Sequence, residues 1–245
     1  MNKFIALILV GLMISSCQQS KQPLFEKNWG PGEDRVWIGS EFWANRLQDW
    51  KVQNGRLECV ASNPQLLMRT AHLIRYRLDS TNGDFFASIN FGALQSSQNP
   101  DAAAGLLIGA GPDIDVWGAS LIQQKPGPGA GFLAGVSANG FLFLKDMETG
   151  TSLDSIRVPP SDGYHLKVTL SDGPPYKLVV EANEVRLEYQ HLKEQRVRGN
   201  IALVSHPGTG NNPGTFWFNN FQSYGSKLIE LDHTAGPIIS TQYTL

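Results

Sequence analysis

The sequence predicts an all-β fold, built as a two-sheet antiparallel jelly-roll sandwich. Short segments in which apolar and polar side chains alternate recur along most of the chain, and Gly, Pro and Asn residues separate them. The chain has 25 glycines, 14 prolines and 10% aromatic residues, a composition that fits many short strands joined by turns. Roughly a dozen such segments at regular spacing favour an antiparallel sandwich.

The stretch Gly199–Gly225 gives the clearest local pattern. Asn200–Ser205 is apolar on both faces, as a strand inside a sheet often is. His206–Gly214 is so rich in Gly, Pro and Asn that we predict a loop. This stretch therefore predicts a strand, a long loop and a second strand.

The second of these strands is predicted to contain a bulge. Thr215–Phe218 is aromatic and β-prone, and Asn219-Asn220 then breaks the two-residue period. Because a bulge adds one residue, Phe218 and Phe221 can face the same side. A C-terminal pattern of this kind is similar to the last two strands of a concanavalin A-like jelly roll, in which the chain returns to pair near its start.

The other predicted strands rest on the same alternation. An Asn54-Gly55 turn predicts a tight hairpin. Apart from a short helix expected at His191–Arg198, the remaining segments are predicted to be strands: Val36–Ile38, Leu66–Leu78, Gly83–Phe91, Ala102–Gly109, Asp113–Gln124, Phe132–Val136, Gly140–Lys145, Tyr164–Leu170, Tyr176–Glu181, Val185–Tyr189 and Ser226–Glu230. We expect Trp37, Trp43 and Trp50 to pack in the core or seal its edge, because large aromatics carry much of a domain's burial.

The N-terminus predicts an exported lipoprotein. Met1–Ser16 has a basic Lys3 and an apolar run too short to span a bilayer, which is typical of a signal peptide. Ile14-Ser15-Ser16-Cys17 resembles a bacterial lipobox, so Cys17 is predicted to be lipidated and to hold the protein to the bilayer. The alternative is an ordinary secretory signal with a chance cysteine. Residue 18 is not Asp, which favours the outer membrane of the cell envelope.

The predicted domain boundaries follow from these segments. Residues 17–35 form a tether and a lead-in loop, residues 36–230 form the sandwich, and residues 231–245 form a linker or the start of a further domain. Loss of Lys3 with the signal peptide changes the net charge from −2 to −3, which gives no electrostatic case for nucleic-acid binding. Cys59 shares a face with Leu57 and is predicted to be a small buried side chain.

Several stretches together resemble one group of proteins: the lipobox, WIGSEFWANRLQDWKVQNGRLEC, AGVSANGFLFL, GNIALVSHP…FWFNNFQSYG and HTAGPIISTQYTL. They are similar to the N-terminal region of bacterial lipoproteins of the alkaline phosphatase D metallophosphoesterase group. The resemblance covers nearly all of Cys17–Leu245 and implies a jelly roll that precedes a metallophosphatase domain. None of that domain's metal ligands can be assigned to a residue of this chain.

We find no catalytic signature in the sequence. The five histidines are scattered, without the spacing that places metal ligands on one face. A Gly-x-Ser-x-Gly nucleophile motif is absent, and so is the Glu-x-Asp-x-x-Glu motif of laminarinase-like jelly rolls. No cofactor is predicted, and this chain alone is not expected to be an enzyme.

The candidate ligand site is the polar face of the segment Asp113–Gln124. Alternation places four side chains on that face: Asp113, Asp115, Trp117 and Gln123. An indole beside carboxylates suits stacking on a sugar. The rim is predicted to be the loops Pro126–Gly131 and His206–Gly214, with His206 able to reach a ligand. In the alternatives the two Asp residues face water, bind calcium, or lie in a register shifted by one, which buries Trp117.

Three functions remain open at this stage. The first is a non-catalytic module that binds a glycan or assists a downstream phosphatase domain. The second is a glycosidase of the 3-keto-disaccharide hydrolase-like jelly-roll type, which would need two carboxylates across a cleft. The third is a structural spacer between the membrane and a downstream domain.

Overall fold

The computed structural model of the chain describes residues 24–32, 34–60, 68–79, 83–112, 126–173, 175–192 and 196–231. In chain order the described strands are β1 (Phe25–Lys27), β2 (Phe42–Ala44), β3 (Trp50–Gln53), β4 (Arg56–Cys59), β5 (Arg69–Leu73), β6 (Tyr76–Leu78), β7 (Phe85–Gln95), β8 (Ala103–Ala110), β9 (Phe132–Ser137), β10 (Phe141–Asp146), β11 (Thr151–Arg157), β12 (Tyr164–Leu170), β13 (Tyr176–Ala182), β14 (Val185–Leu192), β15 (Asn200–His206), β16 (Thr215–Tyr224) and β17 (Leu228–Glu230). A 3-10 turn, Leu47–Asp49, precedes β3.

The strands form two antiparallel sheets packed face to face. Sheet A has the order β14-β13-β12-β7-β16-β4-β3, and β1 also pairs with β16. Sheet B has the order β11-β10-β9-β8-β15-β5-β2, while β6 and β17 form a separate two-stranded ribbon. The predicted two-sheet sandwich is confirmed. The predicted return of the chain to its start is also confirmed, because β16 pairs with β1.

The core between the sheets follows the predicted alternation. On β7 the inward side chains are those predicted, and each is at most 1% exposed: Phe85, Ala87, Ile89 and Phe91. On β16 the pairing with β7 shifts register between Asn219 and Gln222, where Asn220 has a φ of 53°. Phe218 and Phe221 are consequently both buried in the same core, as the predicted bulge requires.

The Asn54-Gly55 hairpin is also confirmed. Asn54 has a φ of 54° and Gly55 a φ of 71°, as a two-residue turn between twisted strands requires. Leu57 and Cys59 on β4 belong to the core, and Cys59 is 1% exposed. The predicted burial of Cys59 is therefore confirmed.

The central strands of sheet B are buried on both of their faces. Leu107, Leu133 and Val204 face away from the main core, yet they lie in a second buried apolar cluster. His72 points to this outer face of β5, alternating with the core residues Ala71 and Leu73, and is 0% exposed. Its ring lies 6.3 Å from the ring of Trp43 on the neighbouring β2.

The start of the sandwich differs from the prediction. Phe25–Lys27 is a paired strand and Trp29 is 1% exposed, so the fold begins before residue 36. Val36–Ile38 is not a strand, and the preceding Arg35 forms an isolated bridge with Val52. Trp37 is 54% exposed and contributes neither to the core nor to a sealed edge. The first paired segment is instead Phe25–Lys27, in which the Phe25 ring contacts three buried aromatics.

Two further differences concern the second half of the chain. The expected helix at His191–Arg198 is wrong at its start, because β14 continues to Leu192 and pairs there with Tyr176. The strand β11 was not predicted at all. Its sequence is polar and six of its seven residues are exposed, so the edge strand lacks the buried face that produces an alternating pattern.

Several predicted features lie outside the described residues: Cys17 with its signal peptide and tether, the strand Asp113–Gln124 and residues 232–245. Within the described part of the chain, no helix is long and apolar enough to cross a membrane.

Candidate functional site

Of the five residues predicted to bind a ligand, the structure describes His206, the last residue of β15. The other four lie outside the described residues: Asp113, Asp115, Trp117 and Gln123. Their grouping remains a prediction. The described part of the site is therefore built around His206 and the strands beside it.

The two loops predicted to form one rim lie at opposite ends of sheet B. Ala103, at the start of β8, pairs with both Ser137 and His206, whereas Ile108 pairs with Phe132, next to Pro126–Gly131. The ends are about 17 Å apart, given a rise of about 3.4 Å per residue. The prediction that the two loops form one rim is therefore wrong. Because β8 and β9 are antiparallel neighbours, β8 ends and β9 begins at the same end of sheet B, next to Pro126–Gly131. The strand β15 ends at the opposite end.

The loop after His206 is fastened to the segment that precedes β8. The Ser97 hydroxyl donates to the carbonyl of Asn212 at 2.5 Å, and the Thr209 hydroxyl donates to Asp101 Oδ2 at 2.8 Å. Gly208 and Gly210 pack so closely on Asn99 that an added Cβ would lie 2.7 Å and 2.3 Å from its side chain. This loop is therefore a fixed wall beside the strand ends.

His206 organises this wall. Its Nδ1 accepts a hydrogen bond from the Gly208 N–H at 3.1 Å. Burial lowers the pKa of His206, and the carboxylate of Asp101 together with a hydrogen bond to the Asp101 backbone opposes that shift only in part. The ring is thus neutral near pH 7 and held between two loop segments. His206 thus holds the loop through Gly208, and its predicted contact with a ligand stays a prediction.

A cleft of about 480 Å³ opens beside His206 on the outer face of sheet B, and we call it the sheet-face cleft. Its lining residues come from the four strands β8, β9, β10 and β15, from the β9–β10 turn and from the two fastened loops: Pro100, Asp101, Ala103, Leu133, Ser137, Asn139, Phe141, Phe143, Lys145, His206 and Thr209. On β10, Leu142 and Leu144 face the core, so Phe141, Phe143 and Lys145 project outward. The cleft therefore has two half-buried aromatic rings on a rigid strand.

Polar groups surround these rings. The Asp101 carboxylate is oriented by Thr209, and Asn139 is held in the β9–β10 turn by the Ser137 hydroxyl, 2.5 Å from Asn139 Oδ1. Lys145 lines the same cleft and forms no ion pair with any described residue. A carboxylate, a carboxamide and an ammonium group beside two aromatic faces can bind a ligand that is both hydroxylated and partly apolar.

A second cleft, of about 720 Å³, opens at the same end of the sandwich, and we call it the end cleft. Its floor includes Phe91 and Phe216 from between the sheets, and Trp217 lies in its wall. The Arg56 guanidinium covers one face of the Trp217 indole, with its carbon 5.2 Å from the ring centre. A Cβ at Gly92 would lie 2.7 Å from Trp217 Nε1, so the indole also packs directly on β7. Trp217 is therefore a packed wall residue.

Among the described residues, neither cleft is lined by the two carboxylates that a glycosidase would need. Asp101 is the carboxylate among the described lining residues of the sheet-face cleft, and Asp162 is its counterpart in the end cleft. Among the described residues no three His, Cys, Asp or Glu side chains form a group that could hold a metal ion.

Sequence reasoning missed the aromatic floor of the sheet-face cleft. The segment Gly140–Lys145 was predicted as a strand, and the alternation within it places Phe141, Phe143 and Lys145 on one face. The missing information was which face is inward. Because both faces carry large apolar residues, only the observed packing of Leu142 and Leu144 decides it.

No protein-family model matches the chain, and no curated protein matches it. Solved structures do match, at low sequence identity. The carbohydrate recognition domain of Emp47p is 15% identical with a TM-score of 0.54, over 76% of this chain and 89% of that one. Lectin I-B4 from Griffonia simplicifolia in its metal-free form is 11% identical with a TM-score of 0.56, over 82% of this chain and 99% of the lectin.

The carbohydrate-binding module CBM66 from Bacillus subtilis is also similar. It is 13% identical with a TM-score of 0.51, and the match covers 75% of this chain and 94% of the module. At such identities the likeness shows the fold alone. Together with the two observed sheets, it shows that this chain has the concanavalin A-like jelly-roll fold.

Proposed function

We propose that this chain is a non-catalytic glycan-binding module, and that the sheet-face cleft holds the sugar. The observation that carries the proposal is the pair of outward phenylalanines, Phe141 and Phe143, in a cleft that also contains Asp101, Asn139 and Lys145. A pyranose has apolar C–H faces and a rim of hydroxyl groups. Aromatic rings can contact the first, while the carboxylate, carboxamide and ammonium groups hydrogen-bond the second.

The charge of the cleft favours a neutral glycan. Asp101 and Lys145 carry opposite charges, and His206 is neutral near pH 7 because burial lowers its pKa. Two aromatic contacts contribute on the order of 1 kcal/mol each beyond the buried area, so we expect weak affinity, of micromolar to millimolar Kd. The fold that the chain shares with a carbohydrate recognition domain and a carbohydrate-binding module supports this class of ligand.

We also propose that Cys17 is lipidated and anchors the module to the outer membrane, as an accessory to a metallophosphoesterase. The resemblance and the lipobox are the basis for both statements. The described geometry is compatible with this arrangement. The described fold starts at one end of sheet A: Phe25 pairs with Ser223, beside the Tyr224–Phe86 pair. The clefts lie at the other end, near the Phe216–Ala93 pair. Seven residues along β7 separate these two levels, or about 24 Å.

Binding of saccharides by the full chain tests the proposal. We would screen it, purified in detergent, on an array of neutral saccharides and measure the Kd of the best ligand by calorimetry. Phe143→Ala and Asp101→Asn should each weaken binding at least ten-fold, because each removes one type of contact.

The matched controls lie at the other end of the sandwich. Phe86 is a half-buried outward phenylalanine stacked on Tyr224 on sheet A, and Asp172 is exposed after β12. Phe86→Ala and Asp172→Asn should leave the Kd unchanged. Equal loss of binding in Phe86→Ala and Phe143→Ala, or saccharide binding that survives in a folded Phe143→Ala protein, would place the site elsewhere. Hydrolysis of the bound saccharide would show a glycosidase instead.

A further inference from the structure

The sheet-face cleft and the end cleft share one wall. Ser137 and Asn139, in the turn between β9 and β10, line both of them. The two clefts therefore open at the same end of the molecule, on either side of a single four-residue turn, Ser137–Gly140.

This turn is fixed by its own hydrogen bonds. The Gly140 N–H donates to the Ser137 carbonyl at 2.9 Å, and the Phe141 N–H donates to the Ser137 hydroxyl at 3.1 Å. That hydroxyl in turn lies 2.5 Å from Asn139 Oδ1. Because this hydrogen bond holds the side-chain oxygen of Asn139, the side-chain nitrogen is the atom left to contact a ligand that crosses the turn.

A second link between the clefts is the pair Arg157 and Phe141. These residues are cross-strand partners on β11 and β10, and the Arg157 guanidinium carbon lies 5.5 Å from the centre of the Phe141 ring. Phe141 lines the sheet-face cleft, whereas Arg157 lines the end cleft. Arg157 forms no ion pair with a described residue, so its guanidinium can donate to hydroxyl groups.

The end cleft has the composition of a second sugar subsite. Its floor is apolar, with Phe91 and Phe216, while Arg157 supplies donors and Asp162 supplies acceptors around it. The volumes of about 480 Å³ and 720 Å³ each fall within the usual range for small-ligand sites, about 300–1,000 Å³. Arg56 is already bound to Glu58 Oε1 at 2.8 Å, so Arg157 and Asp162 are the charged groups that a ligand would meet.

We propose that the two clefts form one extended site for a linear oligosaccharide of at least two units. One unit lies on Phe141 and Phe143 in the sheet-face cleft, the linkage crosses the turn at Asn139, and the next unit contacts Arg157 and Asp162 in the end cleft. This inference rests on the proposed function, because the first unit occupies the site proposed there.

Affinity as a function of chain length tests the inference. The probes are gluco-, manno-, galacto- and N-acetylglucosamine oligosaccharides of one to six units, measured by calorimetry against the full chain. We expect the disaccharide or trisaccharide to bind at least ten-fold more tightly than the matching monosaccharide. Asp162→Asn should reduce that gain at least five-fold while leaving monosaccharide affinity within two-fold of wild type, and Arg157→Ala should also reduce the gain.

Arg186→Ala, which removes an exposed arginine on β14, is the matched control and should change neither affinity. Equal affinity for monosaccharide and oligosaccharide would overturn the extended site. Unchanged oligosaccharide binding in folded Arg157→Ala and Asp162→Asn proteins would also overturn it. The proposed function would survive either result. Absence of any saccharide binding would overturn both. A Phe143→Ala protein that loses the monosaccharide while Asp162→Asn loses only the gain with length would support both.

Discussion

At the scale of single residues, His72 shows how the fold can determine a charge state. It lies on the outer face of sheet B, fully buried beside Trp43, and burial lowers its pKa from 6.5 to about 3. Between about pH 3 and pH 6.5, His72 is therefore protonated in the unfolded chain but neutral in the folded protein. The stability linked to His72 is complete above pH 6.5 and falls by about 1.4 kcal/mol per pH unit as the pH decreases towards 3.

We predict that His72→Gln removes this pH dependence, because glutamine is polar and does not titrate. Between pH 7 and pH 5, the unfolding free energy of the wild-type protein should fall by about 2 kcal/mol more than that of the variant. Urea unfolding at several pH values measures this difference. As a control, His165→Gln should have a smaller effect: burial lowers the pKa of His165 as well, but its side chain is only half-buried and contacts Asn90. Parallel pH profiles for wild type and His72→Gln would contradict a neutral buried His72.

At the scale of elements, the central strands of sheet B depend on a close approach of two backbones. Gly105 on β8 pairs with Gly135 on β9, and a Cβ at Gly105 would lie 2.0 Å from the carbonyl oxygen of Ala134. The neighbouring residues Ala103 and Leu133 line the sheet-face cleft. These two glycines therefore determine the geometry of the cleft floor as well as that of the sheet.

We predict that Gly105→Ala destabilises the protein, because the contact is with backbone that cannot move without breaking the sheet. The expected loss is about 2 kcal/mol or more, in the range of overpacking. Gly127→Ala is the matched control, since nothing lies within 4 Å of its added Cβ, and should leave the melting temperature nearly unchanged. Thermal unfolding followed by circular dichroism compares them. Equal melting temperatures for the two variants would show that the strands can separate at no cost.

Individual strands show which parts of the fold can be predicted from the sequence and which cannot. Strands with one buried and one solvated face, such as β7 and β12, were predicted because their period of two is visible in the sequence. β11 has no buried face and so no such period, while the β14 end has a register shift that hides its pairing. Residues 207–214 form a loop, as their Gly, Pro and Asn content predicted, but the position of Pro126–Gly131 depends on which strands are neighbours, and no local pattern contains that information.

At the scale of the whole molecule, the start of the described fold and the two clefts lie at opposite ends of the sandwich. Leu24 lies at the level of Phe86 and Tyr224, and both clefts open at the level of Phe216. A lipid anchor at Cys17, as proposed, would be joined to the end of the sandwich opposite the clefts.

We predict that Cys17→Ala blocks lipidation. The variant should stay unprocessed by lipoprotein signal peptidase, and globomycin should have no further effect on it. Metabolic labelling with a fatty-acid analogue should mark the wild type only. Cys59→Ala is the matched control and should still be labelled, because Cys59 is buried in the core. Labelling that persists in Cys17→Ala would contradict the anchor.

The position of the bound sugar is the most direct test of the central claim, that the clefts at the His206 end bind a glycan. Amide chemical shifts of the full chain would be followed by NMR during titration with the tightest-binding saccharide. We expect the largest changes at Asn139, Phe141, Phe143 and Lys145, with Gly129 and Phe86 at the opposite end unaffected. Shifts concentrated at Gly129 or Phe86 during saturable binding, with the cleft residues unchanged, would contradict the account.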